Sequence, residues 1–224
     1  MSSARTAILQ RVRSSLGVKA DDATRLQAAA QRIATHPRQL IPARATGNAG
    51  EHAALFRSYL EGQLATVVDV AEARGVPSAI HAYLIDKGLR PSIRMGSDPQ
   101  LTAMPWNEAT GLEILHGAAE PDDPNGLSFA LCGIAETGTA VIAARSSNPV
   151  TLAFLPMTHI IVVARNTIVG SYEDAIDKVR ETFGPAGMPR TLNYISGPSR
   201  TADIGGKIVI GAHGPRNLCV VIVG

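Results

Sequence analysis

Apolar residues recur along the chain with two different spacings, and the change from one to the other divides it. Near the start, Ile8, Leu9, Val12 and Leu16 fall on one helical face, with Gly17 placed to end the segment. The stretch DDATRLQAAAQRIATH opens with acidic residues that suit a helix N-terminus and stops before Pro37. PRQLIPARATGNAG then shows little periodicity and several breakers, so it reads as a linker. The pattern predicts an N-terminal helical arm and linker over residues 1–48 and one main domain over residues 49–224.

From about Glu51 the periods alternate. EHAALFRSYLEGQ is an amphipathic helix, LATVVDV a short β-branched strand, and PSAIHAYLIDKG a helix with a Pro start and a Gly stop. PSIRMG and LEILHG are strand candidates, followed by GLSFALCGIAETGTAVIAA, HIIVVA, TLNYIS and LCVVIV. SYED before an apolar-periodic run is a capping-box signal for a helix beginning at that point. Continuous apolar runs such as HIIVVA and CVVIV imply strands buried on both faces. With helices between them, they predict an α/β fold built on a mostly parallel sheet.

Composition narrows the function classes. A chain of 224 residues buries roughly 70% of its unfolded surface without disulfide staples. Aromatic residues make up only 4%, with Trp106 the single tryptophan, which argues against recognition of stacked bases. The net charge is +2, and Arg5, Arg11 and Arg13 are too spread out to form a nucleic-acid footprint. Cys132 and Cys219 lie far apart in apolar segments and read as buried free thiols. No C-x-x-C pair occurs, and His36, His52, His81 and His116 have no ligand spacing, so no metal site is expected. His159 reads as a residue at the start of a strand. The N-terminus lacks an apolar signal region and no run approaches a membrane span, so a soluble cytoplasmic protein is expected.

Ligands of open α/β sheets bind outside the carboxyl ends of the strands, which directs attention to polar residues after apolar runs. Three segments qualify. In GIAETGTAVI, Glu136 is a candidate nucleophile, general base or ligand acceptor beside Thr137, Gly138 and Thr139. The alternative is a turn with Gly138 at positive φ and Glu136 in solvent. In YISGPSRTADI, the residues Ser196, Gly197, Ser199, Arg200 and Thr201 can form an anion-holding nest, with Asp203 orienting Arg200. The alternative is that Ser199 or Thr201 caps a short helix. In VIGAHGPRN, His213 beside Gly214 is a candidate proton shuttle, or merely a loop histidine that accepts a backbone hydrogen bond.

Four motifs in register, AETGTAVI, LPMTHIIVVARNTIV, ISGPSRTADI and GAHGPRNLCVVIV, resemble the LUD-domain family and, within it, the lactate utilization protein C or YkgG-like group. The resemblance is specific from about Leu127 onward and looser before it. It implies a Rossmann-like arrangement similar to the sugar-phosphate isomerase and CoA-transferase (NagB/RpiA-like) superfamily. It also implies a part in oxidising L-lactate to pyruvate alongside iron–sulfur companion proteins, with no cofactor in this chain. Glu136-Thr137-Gly138 is similar to the Glu-Asn-Gly turn that presents a nucleophilic glutamate in CoA transferases, with Thr in place of Asn. Acyl or CoA transfer, sugar-phosphate isomerisation and a purely structural partner role are therefore the competing expectations. The resemblance further implies that the Glu136 and Arg200 segments line one cleft.

Overall fold

The helical spacing at the start of the chain produces α1 (Ser2–Ser15) and α2 (Ala23–Thr35). Asp22 caps α2 by accepting the Arg25 N–H, and His36 closes it in the left-handed region. Ile8, Leu9, Val12 and Leu16 are exposed. The computed structural model describes residues 2–184, 187–204 and 207–224. The chain divides into two compact units, Met1–Leu40 and Ile41–Gly224.

Residues 41–48, expected to be linker, belong to the larger unit. Ala45 is buried there, and Arg44 Nε donates to the Glu136 carbonyl at 3.1 Å. Asn48 and Glu51 then form a capping box that starts α3 (Ala49–Gly62). After it come β1 (Thr66–Val70), α4 (Val76–Asp86), β2 (Ser92–Met95), the single-turn α5 (Pro99–Thr102), β3 (Glu113–His116) and β4 (Asn125–Phe129). Next are β5 (Cys132–Ile134), β6 (Thr139–Ala143), β7 (Thr158–Ala164) and the two-residue β8 (Ile168–Val169). The remainder comprises α6 (Tyr172–Phe183), β9 (Leu192–Ile195), β10 (Arg200–Ile204), β11 (Lys207–Ile210) and β12 (Asn217–Val223). The SYED signal is met: Ser171 and Asp174 form the capping box of α6.

Six strands make a wholly parallel sheet in the order β1-β12-β7-β4-β2-β3. The expected mostly parallel sheet flanked by helices is thus present. Its two faces carry separate apolar clusters, which is why the strands read as continuous aliphatic runs. Ile160, Val162, Cys219 and Val221 pack with Ile80 and Leu84 of α4 on one face. Ile161, Val163, Leu218, Val220 and Ile222 pack with Phe56 and Leu60 of α3 on the other. Each of the Val, Leu, Ile and Phe side chains among these, removed from water, contributes about 1.5–3 kcal/mol. Burial pushes the Cys132 thiol up to about 11 and the Cys219 thiol up to about 12, so neither is a nucleophile at neutral pH.

Two features lie outside the sequence expectation. A second, mixed sheet of order β8-β5-β6-β9 covers the α3 side, with Cys132, Ile134 and Val141 packed on Ala175 of α6. Strands β10 and β11 form an antiparallel hairpin. Arg200 and Thr201 therefore open a strand, and the alternative in which Ser199 or Thr201 caps a helix is set aside.

Candidate functional site

A cleft of about 270 Å³ opens between the parallel sheet and the second sheet. Its inner surface includes His159 and Leu218, the second residues of β7 and β12, so it lies at the amino rim of the sheet. The expectation that these loops gather at the carboxyl rim is corrected on this point. The reason is chain direction: the GAHGPRN segment leads into β12, whose central place in the sheet fixes that segment at the strand's beginning.

Ser196, Gly197, Ser199, Arg200, His213 and Gly214 all line this cleft, together with Phe154, Tyr194 and Pro215. Backbone hydrogen bonds hold the two loops together. The Ser199 N–H donates to Pro215 O at 2.9 Å, and the Gly211 N–H donates to Ser199 O at 2.8 Å. Arg216 and Asn217 both donate to Met157 O, which ties the second loop to the start of β7. Gly197 passes against Gln63, where an added Cβ would come within 3.1 Å of the Gln63 Cβ. One Arg200 nitrogen, Nη2, donates to the Gln63 carbonyl, and the guanidinium has further N–H donors beyond that one. None of the described lining residues is acidic, whereas Arg200 brings a fixed positive charge. Cleft chemistry therefore favours an anion.

Thr201 pairs with Val209 in the hairpin and is not among the lining residues. The backbone of Asp203 belongs to β10, but its side chain lies outside the described residues.

Glu136 does not line the cleft either. Gly138 adopts φ 61, as the turn alternative required, yet Glu136 is only 5% exposed rather than in solvent. Its Oε1 accepts the Tyr172 N–H at 3.0 Å, in the first turn of α6, and its Oε2 lies 3.8 Å from the Arg44 guanidinium. A carboxylate suits this place, because the helix N-terminus offers unpaired N–H groups and partial positive charge. The turn still reaches the cleft through hydroxyl groups. Thr137 Oγ1 and Thr139 Oγ1 are 2.7 Å apart, and Thr139 Oγ1 and Ser196 Oγ are also 2.7 Å apart. The Tyr172 hydroxyl joins them at 3.2 Å from Thr137 Oγ1.

His159 is the cleft residue that sequence reasoning missed. It is 1% exposed, its Nε2 lies 3.1 Å from Ser128 Oγ, and its Nδ1 has no hydrogen-bond partner. Burial lowers its pKa to about 3, so the ring is neutral at pH 7. A period-two reading of HIIVVA was the available signal, since it puts His159 on the face shared by Ile161 and Val163. Among the described residues no group of three or more His, Cys, Asp or Glu side chains is placed to hold a metal. No helix among them is long and apolar enough to cross a membrane.

The family model for the LUD domain matches residues 124–223, a range that contains every residue lining the cleft. Over those residues the chain is similar to a LUD domain. Over 125 residues it is 33% identical to Lactate utilization protein C of Geobacillus kaustophilus, covering 55% of this chain and 51% of that protein. The protein of the same description from Shouchella clausii is 27% identical over 177 residues, 75% of this chain and 72% of its own length. An uncharacterized protein of Neisseria meningitidis is 37% identical over 98 residues, 44% of this chain and 41% of that one. The matched part of the chain thus spans about half the length of several of these curated relatives. In fold, the chain is similar to a DUF162 family protein from Deinococcus radiodurans. That match has a TM-score of 0.58 and 24% identity, and it covers 80% of this chain and all of the other.

Proposed function

We propose that the chain is a non-redox component of an L-lactate utilization system that binds a small carboxylate in the amino-rim cleft. The observation that carries this reading is the convergence of Ser196, Gly197, Ser199, Arg200 and His213 on a cleft whose described lining holds no carboxylate. Arg200 would grip the carboxylate, the hydroxyls of Ser196 and Ser199 would donate to its oxygens, and neutral His159 would donate from an Nδ1–H. The similarity to relatives described as Lactate utilization protein C favours a lactate-like carboxylate as that ligand. The iron–sulfur companions expected from the resemblance would then carry the electrons.

Transfer chemistry at Glu136 receives less support, because both carboxylate oxygens face fixed partners and the group is buried. The deciding experiment is calorimetric titration with L-lactate, pyruvate and inorganic phosphate. Arg200→Ala is expected to weaken carboxylate binding by about 1.5–3 kcal/mol, the worth of a charge-assisted hydrogen bond, with an unchanged melting temperature. Equal affinity in the variant would rule out Arg200 as the anion's anchor.

A further inference from the structure

A second cavity, of about 190 Å³, lies at the opposite rim of the parallel sheet. It opens where β2 and β4 lie side by side but lead away in opposite directions, β2 to β3 and β4 to β7. Reversal of the connections leaves a crevice outside the carboxyl ends of such strands. Phe129, Ala130 and Leu131, at the end of β4, form its apolar side, and Asp98, Arg145 and Asn148 are its main polar groups. It shares no lining residue with the amino-rim cleft.

Three observations mark the cavity as equipped for a ligand. Asn148 is 4% exposed, and its Nδ2 donates to Phe129 O at 3.2 Å and contacts Ala143 O at 3.5 Å. Two carbonyl neighbours fix which end of the amide is nitrogen, so the other end is oxygen. That buried Oδ1 has no hydrogen-bond partner, an uncommon state that a donor on a ligand would relieve. Arg145 stacks on the Phe183 ring, 4.5 Å from its centroid, and no ion pair engages it among the described residues. Asp98 is held close to the same turn because Gly96 presses on it. A Cβ on Gly96 would fall 2.1 Å from Ser147 O.

A fixed cation, an acceptor lacking a donor and a carboxylate thus share one small space with an apolar side. We propose that this cavity binds a small zwitterion of the α-amino acid class. The ligand's carboxylate pairs with Arg145, its ammonium donates to Asn148 Oδ1 beside Asp98, and its side chain lies toward Phe129 and Leu131. A hydroxy acid of the same size lacks the positive charge that Asp98 selects.

The test is NMR titration of the ¹⁵N-labelled full chain with L-alanine and L-valine, and with L-lactate as the isosteric hydroxy acid. Both amino acids are expected to shift the Ala130 and Leu131 amides and the Asn148 side-chain amide saturably, and L-lactate to act there at least about tenfold more weakly. Arg145→Gln, at an exposed position, should weaken amino acid binding at least about tenfold with the rest of the spectrum unchanged. Asp98→Asn, which keeps the helix cap of α5, should erase the preference for alanine over lactate. The proposal is overturned if neither amino acid shifts these signals, if Arg145→Gln binds as well as the parent, or if lactate binds there more tightly than alanine. Shifts at Ser196, Gly197 or His213 would report on the amino-rim cleft, so failure of one site is distinguishable from failure of the other.

Discussion

His159 is a polar side chain in a strand whose following five residues are aliphatic or alanine, and its burial has a measurable cost. In the unfolded chain a histidine protonates near pH 6.5, whereas the folded ring resists a proton down to about 3. Between those values the unfolded state binds the extra proton. The stability tied to neutral His159 is therefore complete above about pH 6.5 and is lost as the pH falls toward 3. The slope in that window should approach at most about 1.4 kcal/mol per pH unit from this group. Urea midpoints at about pH 7 and about pH 5 would measure it. His159→Asn should flatten the dependence, and an unaltered slope in that variant would assign it to other groups. Position in the strand was legible from HIIVVA. Involvement in the cleft was not, because the wall opposite His159 comes from residues 194–200, distant in sequence.

At the scale of elements, the AETGT turn acts first as a joint. Glu136 satisfies the start of α6, while Gly138 lies against α3 so closely that a Cβ would fall 2.6 Å from the Tyr59 Cβ and 2.8 Å from the Leu60 nitrogen. Glu136→Gln keeps an acceptor for the Tyr172 N–H and should cost about 0.3–1 kcal/mol through the helix dipole alone. Glu136→Ala leaves that donor unmet and should cost about 1–3 kcal/mol. Denaturant midpoints check both. A variant of unchanged stability would contradict the capping role. The helices and parallel strands were readable because each follows a single period bounded by Gly or Pro. The hairpin β10–β11 was harder to read, since RTADI carries three polar residues among five and looks like a loop. The glycine pair at positions 205–206 was the signal for it. Burial of Glu136 could not be read from spacing, because it depends on α6 arriving from 36 residues further along.

At the scale of the whole molecule, sheet order matters more than any contact. Strand β1 is a border strand whose one neighbour among the described strands is β12, with Thr66 set against Cys219. Most of the larger unit lies between those two residues in sequence. Pairings this remote must overcome a large loop-closure entropy before any contact rewards them, so refolding should take milliseconds to seconds or longer, roughly as for other non-local topologies. Stopped-flow fluorescence of Trp106 would measure it, and a microsecond phase carrying the full amplitude would contradict the expectation.

The central seat of β12 has one more consequence. Before that strand docks, β7 shows a bare row of amides and carbonyls along one of the most aliphatic stretches in the chain, while β1 has no neighbour to hold it. A half-assembled molecule is therefore adhesive to its own kind, and crowding at that moment decides between a finished sheet and a clump.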